Sequence, residues 1–411
     1  MKDKFKVTSC SICLNGELEP VITLPDSPIA DEFNMDMNDS LNAQRYPLVV
    51  NYCCKCGHLQ LSHHLPTHRL FKNYTYRSAN NLSLVKHFET YSQNLIDKFS
   101  LDKESLVVDV GSNDGTFLKN FYNKNIRVLG IDPAENIVKI ALKKDIDTVN
   151  DIFCLRVAQE INQIYGKADL ITANNVFAHI SNIREIVEAV TFLLKDNGTF
   201  VFEVSYAPDI INKNLFDTIY HEHLFYYCMT PLIKLFEEFY LEIFDFDKIS
   251  SKGGSIRVYV KRKSTVPVVK KLGILLRQEE YFGFQSSELY KTFNNEIEIQ
   301  KQKTLNYFDR AFNKNEMIVG YGASATVTTL VNTFQLDKYF DYLVDDNVIK
   351  HGSYLPGTSL VVKSKDKLID DSPSAICVLA WNYSSQIIDG NKHYSNNGGT
   401  FIVPMPSLEI I

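Results

Sequence analysis

The stretch VVDVGSNDGTFLKNF, residues 107–121, decides the fold of the middle of this 411-residue chain. It opens with a β-branched run that predicts a buried strand, passes through a turn that holds Gly111 and Gly115, and closes with helical spacing. Further apolar runs with helical stretches between them follow at 128–132, 168–175 and 199–205. Strands that alternate with helices predict a parallel sheet. We therefore expect a central Rossmann-like α/β domain.

The glycine turn also predicts a ligand. Its order, with Asp109 before Gly111 and Gly115, lacks the first two glycines of the dinucleotide fingerprint G-x-G-x-x-G. It fits an adenosine-containing donor that has no pyrophosphate. Asp132 ends the next strand, where a carboxylate can accept both ribose hydroxyls. The other cofactor candidates lie in this turn or at neighbouring strand ends, namely Asn113, Asp114, Pro133, Asn174 and Asn175.

Two simpler interpretations of this region stay open. The glycines could serve only the close packing of helix on strand, and Asp132 could serve only as a helix N-cap.

Two cysteine pairs near the N-terminus predict a zinc site. Cys10 and Cys13 form one C-x-x-C pair, and Cys53 and Cys56 form the other. Four thiolates suit tetrahedral Zn²⁺ and leave no open position, so the metal is expected to be structural. Unliganded cysteines are the alternative. A nearby histidine could also replace one thiolate, the candidates being His58, His63 and His64.

The end of the chain predicts a second α/β unit. MIVGYGASATVTTL, residues 317–330, repeats the order of strand, glycine turn and helix, and a long polar helix over 275–312 is expected to precede it. The resulting domain boundaries are a zinc-binding domain at 1–70, the central domain at 71–265 and a C-terminal Rossmann-like domain at 266–411.

Composition narrows the class of protein. The net charge of -6 argues against a nucleic-acid partner, because such domains are usually basic. The N-terminus has no apolar run of the signal-peptide kind, and no stretch approaches the roughly 20 apolar residues of a membrane span. We expect a cytoplasmic protein whose cysteines stay reduced.

The segment IYHEH, residues 219–223, is the strongest catalytic candidate. Tyr220, His221, Glu222 and His223 bring three titratable residue types together, and an imidazole titrates near neutral pH without further tuning. A purely structural, hydrogen-bonded loop is the alternative. His221 receives no role.

Nearly the whole chain resembles the nucleotide-activated keto-sugar C-methyltransferases of deoxysugar pathways, the 3-C-methyltransferase family. The resemblance rests on the cysteine pairs and on seven motifs, GSNDGTFL (111–118), GIDPAEN (130–136), ANNVFAHI (173–180), FDTIYHEHLFYY (216–227), GGSIRVY (253–259), GYGASA (320–325) and VDDNVIKHGSYLPGT (344–358). The family commonly has His before Gly-Gly-Ser, where this chain has Lys252.

The resemblance implies S-adenosylmethionine and structural zinc as cofactors, a nucleotide-sugar substrate methylated at C-3 of a 4-keto sugar, and a monomer. It implies His223 as general base, with Glu222 as its orienting neighbour or as the alternative base, and Tyr220 as support for the enolate or the sugar. His179 and Tyr76 match active-site residues of the family. A lone His179 could equally be a satisfied core histidine, and Tyr76 could only pack.

By the same resemblance the C-terminal domain holds the nucleotide-sugar, since helix N-termini favour phosphate. The residues expected to touch it are Tyr76, Gly320, Tyr321, Gly322, Ala323 and Ser324. A packing turn in a vestigial fold is the alternative. The competing functions are O-methylation of a related sugar nucleotide, non-catalytic binding of a sugar nucleotide, and a methyltransferase that binds nucleic acid through its zinc domain.

Overall fold

Three β-sheets organise the chain, and each is built mainly from one part of the sequence. The computed structural model describes residues 5–66, 69–70, 77–249, 253–312 and 316–411. The predicted α/β class is confirmed, with mixed sheets in which parallel strands dominate the middle and the end of the chain.

The N-terminal sheet is antiparallel and has the order β1-β2-β3-β9. Its strands are β1 (Leu18–Ser27), β2 (Tyr46–Cys53), β3 (Leu59–Leu61) and β9 (Phe225–Tyr226), with helix α1 (Met37–Leu41) between β1 and β2. β1 and β2 are its two long strands. Their alternating burial places one face on a core. The last strand, β9, comes from the middle of the chain, which no local pattern indicates.

The central sheet has the order β10-β11-β8-β7-β4-β5-β6. Its strands are β4 (Leu106–Val110), β5 (Arg127–Ile131), β6 (Thr148–Val149), β7 (Ala168–Asn174), β8 (Leu194–Ser205), β10 (Leu241–Ile249) and β11 (Ser255–Arg262). Strands β4 to β8 run parallel, β11 is antiparallel to them, and β10, which is antiparallel to β11, again runs in their direction. The strand order reverses beside β4, and ligands of such sheets bind outside the carboxyl ends of the strands at that point.

Helices cover both faces of this sheet. They are α2 (Leu82–Phe99), α3 (Leu118–Tyr122), α4 (Glu135–Leu142), α5 (Leu155–Tyr165), α6 (Ile183–Leu193), α7 (Ala207–Asn212) and α8 (Met229–Glu237). Every residue of β4 is buried. Val107 packs with Phe88 and Tyr91 of α2, while Val108 belongs to the core on the other face. Burial on both faces explains the nearly continuous apolar run that the sequence shows.

The C-terminal sheet has the order β14-β13-β12-β15-β16-β17 and is parallel except for its last strand. Its strands are β12 (Ile318–Tyr321), β13 (Tyr342–Val344), β14 (Val362–Lys363), β15 (Ala375–Val378), β16 (Thr400–Val403) and β17 (Glu409–Ile410). Helices α9 (Lys270–Tyr281) and α10 (Ser287–Ala311) precede this sheet in the chain. The helices within this part of the chain are α11 (Ala325–Phe334), α12 (Lys367–Asp371), α13 (Ser384–Gly390) and α14 (Lys392–Asn396).

The single long helix expected over 275–312 is two helices, α9 (Lys270–Tyr281) and α10 (Ser287–Ala311). Gly283 has a φ of 79°, in the left-handed region that suits glycine and ends a helix. Ser286 then caps α10 by accepting a hydrogen bond from the Glu288 N–H. Apolar and polar spacing continues across the break, which is why periodicity alone missed it.

The N-terminal module docks directly on the C-terminal sheet. The Ser40 hydroxyl donates to the carbonyl of Leu355 at 2.9 Å, and Lys350 pairs with Asp31 at 3.1 Å. Within the described residues, no helix has the length and apolar character needed to cross a membrane.

Candidate active site

The four predicted zinc ligands form one cluster. The Sγ atoms of Cys10, Cys13, Cys53 and Cys56 all lie within 4.8 Å of one another. The antiparallel register that pairs Leu18 with Cys53 brings the two distant knuckles together. A set of four close sulfurs fits Zn²⁺ and has no place for a water ligand, so the zinc is structural.

The other candidate ligands near the knuckles lie outside this cluster. Cys54 is exposed. His58 is fully buried between aromatic rings, 5.6 Å from the centre of Tyr227 and 5.2 Å from that of Phe225. Burial lowers the pKa of His58 to about 3, so its imidazole is neutral. The aromatic contacts give His58 a packing role.

The glycine turn at residues 111–115, called the donor turn from here on, follows β4. Three of its residues lie in the left-handed region. Gly111, Asn113 and Gly115 have φ values of 68°, 50° and 75°. A Cβ on Gly111 would lie 2.3 Å from a methyl group of Val176, so the turn packs tightly against the loop that follows β7. Glycine at 111 is therefore required by packing as well as by backbone conformation.

Asp132 braces the same turn. Its Oδ2 accepts from the Asn113 N–H at 3.0 Å and its Oδ1 accepts from the Ala134 N–H at 2.9 Å. The carboxylate is fixed beside the turn by backbone donors, and each oxygen keeps a lone pair for a further donor such as a ribose hydroxyl. Pro133, next to it, is exposed.

Asp109 and Asn174 lie side by side at the carboxyl edge of β4 and β7. Asp109 Oδ1 accepts from the Thr172 hydroxyl at 2.6 Å and from Asn174 Nδ2 at 3.3 Å. Burial raises the pKa of Asp109 to about 7. Among the described residues, the buried Oδ1 of Asn174 has no hydrogen-bond partner. A buried acceptor of this kind fits a ligand donor such as the ammonium group of S-adenosylmethionine.

Two other predicted cofactor residues have evident structural partners. Asp114 pairs with Lys144 at 3.0 Å and accepts from the Thr116 hydroxyl at 2.6 Å, at the start of the helix after the turn. Asn175 has a φ of 56°, and its N–H donates to the carbonyl of Glu203 at 2.8 Å. These contacts shape the edge of the site.

The segment 220–223 lies beside the loop that packs on the donor turn. The Leu224 N–H donates to the carbonyl of Ala178 at 2.9 Å. Ala178 stands two residues after Val176, whose side chain contacts Gly111. The tertiary structure thus brings the IYHEH segment to the same edge of the sheet as the glycine turn.

Tyr220 and His223 form a hydrogen-bonded pair. His223 Nδ1 lies 2.7 Å from the carbonyl of Thr218, which can only accept, so Nδ1 carries the ring proton. His223 Nε2 is therefore the acceptor, and the Tyr220 hydroxyl donates to it at 2.8 Å. The ring of His179 lies 5.0 Å from that of His223. Three of the predicted catalytic residues are neighbours.

The remaining catalytic candidates differ in position. Glu222 is buried in the same turn. His221 points the other way, with its ring 5.8 Å from Tyr46 of the N-terminal sheet, and burial lowers its pKa to about 4. Tyr76 and Lys252 lie outside the described residues.

The turn Gly320–Ser324 is closed by acidic side chains. The Ala323 N–H donates to Asp345 Oδ2 at 2.7 Å, and the Tyr321 hydroxyl donates to Asp346 at 3.2 Å. A Cβ on Gly322 would lie 2.6 Å from that of Ala380. The Ala323 N–H, which was predicted to be available to a phosphate, is thus already bonded to Asp345. The Ser324 side chain caps α11 by accepting from the Val327 N–H.

A buried ion pair between two strands of the central sheet was not predicted from the sequence. Glu203 of β8 pairs with Arg257 of β11, and His87 of α2 approaches the same carboxylate at 3.1 Å. Arg257 also lies over the ring of Tyr91, 3.4 Å from its centre. The one signal in the sequence was a charge in each of two apolar strands, FVFEV and SIRVYV.

Three family models match the chain in the order of its sheets. A putative zinc binding domain matches residues 10–71, a methyltransferase domain matches 84–244, and a C-methyltransferase C-terminal domain matches 250–406. The C-methyltransferase NovU of Streptomyces niveus is 30% identical over 407 residues, which cover 98% of this chain and 97% of the relative.

Solved structures resemble part of the chain at low identity. The PH0226 protein from Pyrococcus horikoshii has a TM-score of 0.38 at 14% identity, over 47% of this chain and 99% of its own. An S-adenosylmethionine-dependent methyltransferase from Clostridium acetobutylicum has a TM-score of 0.36 at 16% identity, over 44% of this chain and 92% of its own. The family assignment rests on the sequence matches.

The methyltransferase match falls on the sheet that carries the donor turn, and the zinc-binding match falls on the four-cysteine cluster. The protein is an S-adenosylmethionine-dependent methyltransferase with a structural zinc module. Its likeness to NovU continues through the C-terminal sheet, and the chain therefore belongs to the C-methyltransferase family, as its motifs indicated.

Proposed function

We propose that this protein methylates the carbon next to the ketone of a nucleotide-linked keto-deoxysugar, C-3 of a 4-keto sugar, through an enolate. The observation that carries the proposal is the Tyr220–His223 pair with its fixed tautomer, at the edge of the sheet that holds the donor turn. Membership in the C-methyltransferase family supports attack by carbon. The monomeric state, the cytoplasmic location and the lack of a nucleic-acid partner stay predictions from the sequence.

His223 is the general base of this proposal. Its Nδ1–H is held by the carbonyl of Thr218, so the proton of the acidic C–H ends on Nε2. The C–H bonding pair forms a C=C bond to the carbonyl carbon, and the C=O π pair moves onto the oxygen, which gives an enolate. The protonated Nε2 then donates to the Tyr220 oxygen, which directs the hydroxyl proton of Tyr220 at the new enolate oxygen.

S-adenosylmethionine, when bound, supplies an electrophilic methyl group. Asp132, Asp109 and Asn174 offer the acceptors that would hold its hydroxyl and ammonium donors beside the glycine turn. Glu222, buried in the same turn, and His179, whose ring lies 5.0 Å from that of His223, would orient the sugar. The Gly320–Ser324 turn would face the nucleotide, with Ser324 and the N-terminus of α11 as its remaining donors.

The test separates deprotonation from methyl transfer. The protein is incubated in D₂O, without methyl donor, with dTDP- and GDP-linked 4-keto-6-deoxyhexoses, and NMR follows exchange of the proton next to the ketone. We expect exchange with wild type and a loss of about 100-fold or more in His223→Ala, the usual size of a general-base contribution. His393→Ala, which alters a C-terminal histidine outside the site, serves as the control.

Methyl donor is then added and the product is examined by NMR. A new C–CH₃ resonance is expected. An O–CH₃ resonance would overturn C-methylation in favour of O-methylation. Full exchange by His223→Ala would remove that residue from the role of base, and Glu222→Gln would then be the variant that loses exchange.

A further inference from the structure

A hydrogen bond between two domains precedes the catalytic segment. Asp217 is fully buried in the short 3-10 turn Phe216–Thr218, and its Oδ2 accepts from Trp381 Nε1 at 2.6 Å. Trp381 belongs to the turn Trp381–Tyr383 that follows β15 of the C-terminal sheet. It is the one tryptophan of the chain. The indole N–H of one domain thus holds a buried carboxyl of another.

Two further contacts tie the same short segment to the C-terminal domain. The ring of Phe216 stacks on Phe334 of α11 with centroids 4.9 Å apart. The hydroxyl of Thr329, on the same helix, donates to the carbonyl of Ile219 at 3.3 Å. Residues 216, 217 and 219 are therefore all attached to C-terminal elements, although they belong to the chain segment of the central domain.

Thr218, in the middle of this segment, determines the tautomer and the orientation of His223. Thr218 stands between Asp217 and Ile219, and its carbonyl receives the Nδ1–H of His223 at 2.7 Å. A shift of the segment would move this carbonyl and turn the imidazole away from Tyr220. Because general-base catalysis needs Nε2 unprotonated and aimed at the substrate, the position of residues 216–219 controls the base.

We propose that Asp217 and Trp381 are positioning residues through which the C-terminal domain holds the Thr218 carbonyl, and with it His223, in the working orientation. This inference rests on the proposed function, because it takes His223 to be the general base. Neither residue touches the reacting atoms.

The chemistry of the pair predicts which substitutions it tolerates. Burial raises the pKa of Asp217 to about 7, so a neutral side chain at this position is acceptable near neutral pH. Asp217→Asn keeps an oxygen that can accept from Trp381 and should behave close to wild type. Asp217→Ala removes the acceptor, and Trp381→Phe keeps a large ring but removes the donor.

The first measurement is backbone amide hydrogen exchange on the full-length protein. In Trp381→Phe and Asp217→Ala we expect the amides of 216–223 to exchange about tenfold faster, the effect of losing one buried hydrogen bond. Tyr394→Phe is the matched control. It removes one aromatic donor, to the carbonyl of Pro373 at 2.9 Å, near the opposite edge of the same sheet.

The second measurement is the kinetics of Trp381→Phe on whichever 4-keto-6-deoxyhexose nucleotide wild type methylates. We expect kcat to fall about tenfold or more while KM changes by less than about threefold, because the base is misoriented and binding contacts remain. Asp217→Asn, which keeps the acceptor for Trp381, should retain most of the wild-type kcat. A general sensitivity of this site to substitution would not explain that result.

The outcomes separate this inference from the proposed function. Unchanged exchange over 216–223 in both Trp381→Phe and Asp217→Ala overturns the positioning role. Faster exchange with an unchanged kcat also overturns it. If wild type methylates none of the sugars and exchanges no proton, the proposed function fails, and faster amide exchange in the variants still supports the hold of the C-terminal domain on the segment.

Discussion

Asp132 illustrates how one side chain can serve both the fold and the ligand. Its carboxylate is buried, and burial raises its pKa. Two backbone N–H groups nevertheless donate to it and stabilise the ionised form, in which all its remaining lone pairs are acceptors. The N-cap of helix α4 is Ala134, so Asp132 does not cap the helix; it braces the turn before it and keeps acceptors for a ligand.

We expect Asp132→Asn to weaken binding of S-adenosylhomocysteine about 10- to 100-fold, since a hydrogen bond to a charged acceptor contributes roughly 1.5–3 kcal/mol. The new amide would also place a donor against the N–H of Asn113 or Ala134. Isothermal titration calorimetry measures the effect. Glu135→Gln is the control, because its exposed carboxylate pairs with Lys139 on the helix surface. Equal dissociation constants for Asp132→Asn and wild type would contradict the ribose role.

Individual elements are joined by buried polar groups that no periodicity indicates. Glu279 of α9 is the clearest case, since its carboxylate caps the start of α8. Oε1 accepts from the Met229 N–H at 2.6 Å and from the Tyr206 hydroxyl at 2.7 Å. Oε2 accepts from the N–H and the hydroxyl of Thr230 at 3.0 and 2.8 Å. A glutamate from another helix thus satisfies donors that the α8 start would otherwise bury unpaired.

Glu279→Gln should lower the free energy of unfolding by about 2 kcal/mol, because an amide NH₂ must then face donors in a buried site. Urea titration followed by circular dichroism measures the change. Glu280→Gln, the exposed neighbour on the same helix, should leave the midpoint unchanged. If both variants unfold at the same urea concentration as wild type, the capping role is wrong.

At the scale of the whole molecule, residues 216–226 link the three parts of the chain. Residues 216–219 contact the C-terminal domain, and residues 225–226 form strand β9 of the zinc module. Gln60 pairs with Phe225 and Leu59 with Tyr226. The zinc module is therefore positioned to hold the far end of the segment that carries His223.

This arrangement predicts that zinc loss reaches the active site. Cys13→Ser should reduce bound zinc, measured by mass spectrometry of the metal, and should speed amide exchange at 224–226, because the sheet that pairs with β9 loses its anchor. Cys54→Ser is the matched control, since that thiol is exposed and outside the cluster. Zinc loss without faster exchange at 224–226 would show that the module folds independently of the segment.

The sequence by itself determined the features that depend on neighbours along the chain. Val107 to Gly115 specify a buried strand and a left-handed turn through β-branching and glycine, and each C-x-x-C pair specifies half of a thiolate site by its spacing. Local spacing also located the IYHEH segment. Each of these needs only a few bonded residues, so the chemistry can be read directly.

Only the tertiary structure decided which of these features meet. The register of β1 with β2 joins the two cysteine pairs, and Trp381 reaches Asp217 from a domain distant in sequence. The loop after β7 contacts both the donor turn and Leu224, the residue after His223. The break at Gly283 and the capture of β9 by another sheet belong to the same group. These pairings are stabilised by burial and by hydrogen bonds between segments that are distant in the chain. Their only local sign in the sequence is an isolated polar residue within an apolar run.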